Sequence, residues 1–323
     1  MLAALTLPTD ALGRTFMPHA PAVTLDLRPT ASFEDRHVRD AYSVPLGTLE
    51  ERLFELPPPG EWPLEIMGPR EALDEANALL QPKGWTPKEI DTEADPGWAD
   101  LRPTAVGLDG VLPSPYRPNS FLAAALEAIQ DDVAGEDAAE QRETEGLALD
   151  LGCGSGRDAV HIASALAVSA PQWQTVGLDN HVAALERGRR LAARYEGTLG
   201  NQIEFVAEDL RKGGLERTLD ARPTQPLRLV HGCRWLDVRL LARLPELLAP
   251  GGLVLWSTFL DPPDGSEPLA PPFRRSRRLS SGQMRMLLGE DSGMDVLYDG
   301  EGELLTRSRW CNAQFFCARK RRE

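Results

Sequence analysis

The ten residues from Leu147 to Gly156 constrain this chain more than any others. Leu147-Ala148-Leu149-Asp150-Leu151 is a short apolar run that ends near an acid. Gly152-Cys153-Gly154-Ser155-Gly156 then places glycine at every second position. An amphipathic pattern follows from Arg157, with Val160, Ile162, Ala163 and Leu166 on one face. A buried strand, a tight turn and a helix account for all three patterns. Alternating glycines permit positive φ and let a ligand approach the backbone closely. The helix N-terminus beyond them favours an anionic group. The dinucleotide fingerprint G-x-G-x-x-G would need a glycine at position 157, which is Arg157.

The rest of the C-terminal half alternates strand-like and helix-like segments, the pattern of a parallel sheet with crossover helices. Thr175-Val176-Gly177-Leu178-Asp179 reads as a second strand closing on an acid, with Asn180 and His181 opening a helix through Leu185 and Leu191. Ile203 to Val206 reads as a third strand running into Ala207-Glu208-Asp209-Leu210. Leu227 to Val230 is a fourth, Leu240 to Leu248 a helix, and Pro250-Gly251-Gly252 a turn before a fifth strand at Leu253 to Ser257. Residues 296–298 and 313–318 suit a closing antiparallel hairpin.

These elements in this order resemble the class I S-adenosylmethionine-dependent methyltransferases, whose first motif is D-x-G-x-G-x-G. The resemblance implies an α/β fold with a Rossmann-like, mostly parallel sheet and an antiparallel C-terminal hairpin. It implies S-adenosylmethionine as cofactor, held by Asp150, Gly152, Cys153, Gly154 and Gly156 of the first motif. In the family the second acid accepts from the ribose hydroxyls, which falls on Asp179. The third takes the adenine amine, for which Asp209 fits best, with Glu208 and Leu210 beside it and Asn180 near the ring or serving as a helix cap. His231-Gly232-Cys233-Arg234-Trp235 follows the fourth strand, where acceptors meet the cofactor. His231 there is a candidate base or an ordinary loop histidine, and Trp235 a packing residue. Gly154-Ser155-Gly156-Arg157-Asp158, with Arg117-Pro118-Asn119-Ser120-Phe121-Leu122 upstream, looks like the tellurite-resistance and thiol-methyltransferase neighbourhood. That likeness implies a small thiol or chalcogen acceptor.

The N-terminal part carries a different pattern. Asp26, Arg28, Phe33, His37, Ala41 and Pro45 stand in the spacing D-x-R-x4-F-x3-H-x3-A-x3-P. This resembles the opening of a rhodanese-like domain, continuing weakly to Gly84-Trp85. The loop that would hold that family's persulfide cysteine is Gly68-Pro69-Arg70-Glu71, and it contains no Cys, Ser or Thr. Sulfur transfer needs a thiolate nucleophile, so this module is expected to be silent, with Asp26, Arg28 and His37 structural. The alternative is a loop that retains an anion-binding nest.

Three regions result: residues 1–90 as the small α/β rhodanese-like domain, 91–146 as a linker with a lid-like helix and an acidic loop, and 147–323 as the methyltransferase domain. Lys and Arg total 35 against 49 Asp and Glu, a net charge of −14, which disfavours nucleic acid and anionic membranes as partners. No apolar run approaches the ~20 residues of a membrane-spanning helix. The N-terminus lacks a signal-peptide pattern. The four cysteines form neither a CxxC pair nor a metal-ligand spacing, and a reducing cytoplasmic setting is expected. The chain lacks an N/D-P-P-Y/F signature for nitrogen acceptors. Four arginines in Phe273-Arg274-Arg275-Ser276-Arg277-Arg278 could draw an anionic acceptor. The predicted function is methyl transfer to a small acceptor, an anionic thiol or chalcogen oxyanion among the candidates. The rival is a non-catalytic, cofactor-binding scaffold or regulator.

Overall fold

The computed structural model describes residues 22–94, 115–133, 145–261 and 278–322, less positions 39–40, 58, 60–61, 117, 119, 196–198, 200–201 and 307–308. The acidic stretch at 134–144 and the arginines at 274–277 lie outside the described residues. Contacts divide the chain into two units, one over the N-terminal region and one from Pro118 onward.

The first unit is a four-stranded parallel sheet in the order β2-β1-β3-β4: β1 Val23–Asp26, β2 Tyr42–Ser43, β3 Leu64–Gly68 and β4 Lys88–Asp91. Helices α1 (Thr30–Asp35), α2 (Leu46–Arg52) and α3 (Arg70–Leu80) connect the strands. Parallel strands need such crossovers. Ala72, Leu73, Ala76 and Leu80 share the buried face of α3 and pack with Leu25 and Ile66. Asp26 is fully buried and is gripped bidentately by Arg28, with Nε at 3.0 Å from Oδ1 and an Nη at 2.7 Å from Oδ2. His37 shares a hydrogen bond with the Phe33 carbonyl at 2.8 Å and stacks on its ring. All three residues therefore tie the fold together, as expected. The expected four-residue loop at 68–71 is not present, because α3 starts at Arg70 directly after Pro69. Its guanidinium bonds Glu89 and Asp91 on β4.

The second unit is an eight-stranded sheet: β5 Gly146–Leu151, β6 Trp173–Asp179, β7 Ile203–Ala207, β8 Leu227–Cys233, β9 Leu253–Leu260, β10 Arg278–Leu279, β11 Met294–Thr306 and β12 Arg309–Lys320. The order is β11-β12-β9-β8-β5-β6-β7, with the short β10 beside β9. Strands β5 to β9 are mutually parallel and β12 runs antiparallel to β9, which matches the predicted mostly parallel sheet and terminal hairpin. The chain moves outward from β5 to β7, then returns to β8 on the other side of β5, creating a switch point where such sheets bind ligands.

Alternation along the strands buries one face under Leu149, Val230, Trp256 and Phe316, and the other under Ala148, Leu229, Leu255 and Phe315. Helix α4 (Ser120–Val133) packs Phe121, Leu122, Leu126 and Ile129 into the second of these layers, beside Ile162 and Leu166 of α5 (Arg157–Ser169). Phe121 is fully buried against the rings of Phe315 and Tyr298. The helix read as lid-like within the linker thus packs into the sheet's core, because its apolar stripe is wide enough to bury. The helix expected over 240–248 is two short helices, Val238–Leu241 and Leu244–Leu247, the second with proline in its first turn. Arg278, last of the arginine run, begins β10 and lies 3.4 Å from Asp261. No helix among the described residues is long and apolar enough to cross a membrane.

Candidate active site

The carboxyl ends of β5, β6, β7 and β8 open on one cleft with about 760 Å³ of empty space, part of it open to solvent. Its walls are Gly152, Asp179, Asn180, Glu208, Asp209, Leu210, Arg211, Arg234, Trp235 and Leu236. Six of the predicted cofactor residues meet here: Gly152, Asp179, Asn180, Glu208, Asp209 and Leu210. Asp179 and Asp209 come from different strand ends and share one crevice.

The loop after β5 holds its shape by its own hydrogen bonds. Gly152 and Cys153 both donate to the Leu178 carbonyl, at 2.8 and 3.0 Å, and Gly156 donates to the Cys153 carbonyl at 2.9 Å. Gly154 donates to Asp179 Oδ2 at 2.9 Å. The free loop N–H groups expected to grip a ligand are therefore largely spent within the fold. The glycines instead provide space and backbone freedom. Gly152 has φ +72°, and a Cβ there would lie 2.6 Å from the Trp235 ring. Around Gly154, also at positive φ, nothing lies within 4 Å of a Cβ position.

Gly156 sits at the start of α5 and forms, with Gly177 and Gly188, a slot for the ring of Phe205, which a Cβ at any of the three would meet at 3.0 Å or less. Gly156 therefore seats the loop on β7 and does not face the cleft. The Cys153 side chain points to Gly177. Burial, with Asp150 and Asp179 nearby, pushes its thiol well above the usual range. Cys153 contributes backbone alone.

Asp179 ends β6 with each oxygen accepting one backbone N–H: His181 at 2.8 Å and Gly154 at 2.9 Å. A carboxylate has about four acceptor sites, so room is left for two hydroxyls from the cleft. Among the described residues Asp179 has no ion-pair partner. Asn180 faces the cleft and is not the helix cap. That role belongs to His181, whose ring accepts from Ala184 N at 3.1 Å at the head of α6 (Val182–Ala193). Asp209 accepts from Arg211 N at 3.1 Å and lies 3.4 Å from Lys212. Glu208 is clasped by Arg217, which holds its carboxyl below the usual range. Asp209 is consequently the more available acceptor of the two.

Asp150 and His231 are corrections. Strand β8 runs three residues further than expected, through Cys233, so His231 is inside the sheet and not at its mouth. It pairs in register with Asp150 on β5. Both side chains point to the α4/α5 face, His231 fully buried and Asp150 at 2% exposure. His231 Nδ1 lies 2.8 Å from Asp150 Oδ1. Ala159 N–H in the first turn of α5 also bonds Asp150, which takes the place an anionic ligand would occupy at that helix start. Neither residue touches the cleft, so His231 is no base for an acceptor there and Asp150 no direct cofactor ligand. Burial raises the Asp150 pKa. Burial acts to lower that of His231, but the Asp150 carboxylate outweighs it and the net direction is upward.

Sequence reasoning placed Arg234 at the mouth within the stretch 231–235 but gave it no role of its own, and the cleft lining includes it. It follows β8 directly and is the only non-glycine residue with positive φ among those described, at +58°. Its N–H donates to the Ser257 carbonyl at 2.8 Å. No residue pattern announces this turn. Cys233, one residue earlier, carries a thiol pushed up to about 11 by burial.

The cleft fits an adenosyl amino acid on these observations: two carboxylates on neighbouring strand ends, an open glycine surface between them and β8, and a switch point beneath. Residues 149–254 match the family model of a methyltransferase domain. No curated protein matches the chain. Among solved structures, a SAM-dependent methyltransferase from Methanosarcina mazei is 19% identical, over 58% of this chain and 99% of that one, at a TM-score of 0.38. Magnesium protoporphyrin IX methyltransferase from Synechocystis PCC 6803, with bound SAH, is 16% identical over 71% and 94%, at 0.38. TehB from Haemophilus influenzae is 18% identical over 60% and 63%, at 0.40. The family match spans the glycine loop, both cleft acids and β8 together, so this part of the second unit is similar to a methyltransferase domain.

Proposed function

We propose that the second unit methylates a small acceptor, an anionic thiol or a chalcogen oxyanion, at the β5/β8 end of the cleft. The observation that carries this reading is the convergence of Gly152, Asp179 and Asp209 on one crevice at the switch point. Asp179 would accept from the ribose hydroxyls and Asp209 from the adenine amine, while Gly152 and Gly154 keep the surface between them free of side chains. When bound, S-adenosylmethionine supplies a methyl group already activated on a sulfonium, so the protein's share is alignment and exclusion of water. Among the described residues no buried base reaches the cleft, since His231 lies within the sheet. An acceptor that is already an anion needs none, and that is the reason for favouring thiolates and oxyanions over neutral amines. The two arginines in the cleft lining, Arg211 and Arg234, support the same choice.

In this reading the first unit has no sulfurtransferase activity, and four cysteines outside any disulfide suit a reducing cytoplasm. The test is incubation of the full chain with methyl-labelled cofactor and a panel of thiols, selenite and tellurite. Label in a volatile or thioether product is expected. Binding of the cofactor with no transfer to any member would favour the scaffold alternative.

A further inference from the structure

The walls of the cleft are arranged in sequence along the sheet edge: Asp209 beyond β7, Asp179 at the end of β6, Gly152 beyond β5, and Arg234 with Trp235 beyond β8. Adjacent strands lie about 4.8 Å apart, so the line from Asp209 to Arg234 spans roughly 14 Å. The Asp209 end of that line carries carboxylates beside Arg211 and Lys212, and the β8 end carries Arg234 with no carboxylate in the lining next to it. Arg234 occupies the left-handed region that suits glycine, and its N–H is fixed to Ser257 on β9. The turn breaks strand alternation at this residue. Cys233 still belongs to β8, whereas Arg234 lines the cleft. Trp235 next to it packs under Gly152 and against Trp256, ring centroids 6.0 Å apart, which anchors the turn from the other side. A glycine at 234 would adopt this backbone without strain, whereas the arginine brings a charge to the cleft wall.

We propose that Arg234 is the specificity-determining residue of the cleft: it anchors a small carboxylate or oxyanion across the glycine loop from the two adenosyl-binding acids. Two sources could provide that anion, the amino-acid tail of the cofactor and the acceptor itself. Guanidinium groups suit both through paired N–H donors. The inference rests on the cofactor reading above.

The full chain and its R234G, R234M and R234K variants are compared by thermal melting and by calorimetric titration. The probes are S-adenosylhomocysteine, 5′-methylthioadenosine (which has the adenosine but no carboxylate) and sodium selenite added to nucleoside-loaded protein. R234G should melt higher than wild type by roughly 2–4 °C, because strain is relieved. At the same time, R234G and R234M should weaken anion binding roughly 10- to 100-fold, with partial recovery in R234K. Loss confined to S-adenosylhomocysteine, with methylthioadenosine unchanged, identifies the cofactor's carboxylate as the anion. Loss confined to selenite identifies the acceptor. The proposal is overturned if R234M binds all three probes as wild type does, if both nucleosides weaken by the same factor, or if R234G melts lower. A wild-type chain that binds neither nucleoside defeats the cofactor reading instead, and Arg234 is then judged on selenite alone.

Discussion

Replacing His231 by leucine removes one half of a fully buried pair and leaves Asp150 at 2% exposure with its imidazole partner gone. Breaking a buried pair in this way costs about 3–5 kcal/mol, whereas replacing both partners by apolar residues is nearly neutral. Leucine recovers part of that cost by burying apolar surface, of the order of 1.5–3 kcal/mol for a whole side chain, so the net loss should be about 2 kcal/mol. For a unit of this size that corresponds to a fall in Tm of roughly 4–8 °C. The pH dependence sharpens the test. Both pKa values are raised in the fold, so the folded state holds more protons than the unfolded one. Stability therefore falls as pH rises through the raised His231 value. In D150N the carboxylate is gone, and the desolvation that lowers His231 is then opposed only by the weaker upward pull of Asp158. The folded pKa of His231 then drops beneath the ordinary ~6.5, and stability is lost as pH falls instead. Urea midpoints followed by tryptophan fluorescence from about pH 5.5 to 8.5 would show this reversal. An H231L variant as stable as wild type, or a D150N slope of unchanged sign, would refute the argument.

Three other outcomes are expected. Asp179→Ala should weaken binding of S-adenosylhomocysteine about 10- to 100-fold by calorimetry, through the lost ribose contact and a loosened Gly154 N–H; unchanged affinity would remove Asp179 from the site. Gly152→Ala combines a left-handed backbone with a Cβ 2.6 Å from Trp235, and should cost about 2–4 kcal/mol. In G152A/W235A only the backbone part should be left, so additive losses in the double variant would contradict the clash. Cys153, Cys233 and Cys317 all have thiols shifted upward by burial. A disulfide reagent at pH 7.5 should react slowly with the native chain and with four thiols after unfolding.

Local pattern was enough for the strands from β5 to β9, the glycine turn and the acids at their carboxyl ends, because period-2 apolar runs and alternating glycines are local properties. The buried face of α5 was legible for the same reason. What could not be read locally was how far β8 extends. Leu227, Leu229, His231 and Cys233 continue one alternating face, but a polar histidine in a strand is allowed only by a partner 81 residues earlier, Asp150. The same holds for Phe205, whose slot is built from three glycines on three elements, and for the helix that packs Phe121 against Phe315.

By itself the sequence determined a parallel α/β sheet, a glycine turn and two acids at the ends of strands, since each follows from the residues of one segment. The tertiary structure decided which polar groups reach the cleft. Register between β5 and β8 drew Asp150 and His231 into the interior, and a left-handed turn beyond β8 sent Arg234 to the wall. Desolvation and strand register act between distant segments, and neither is written in any one of them.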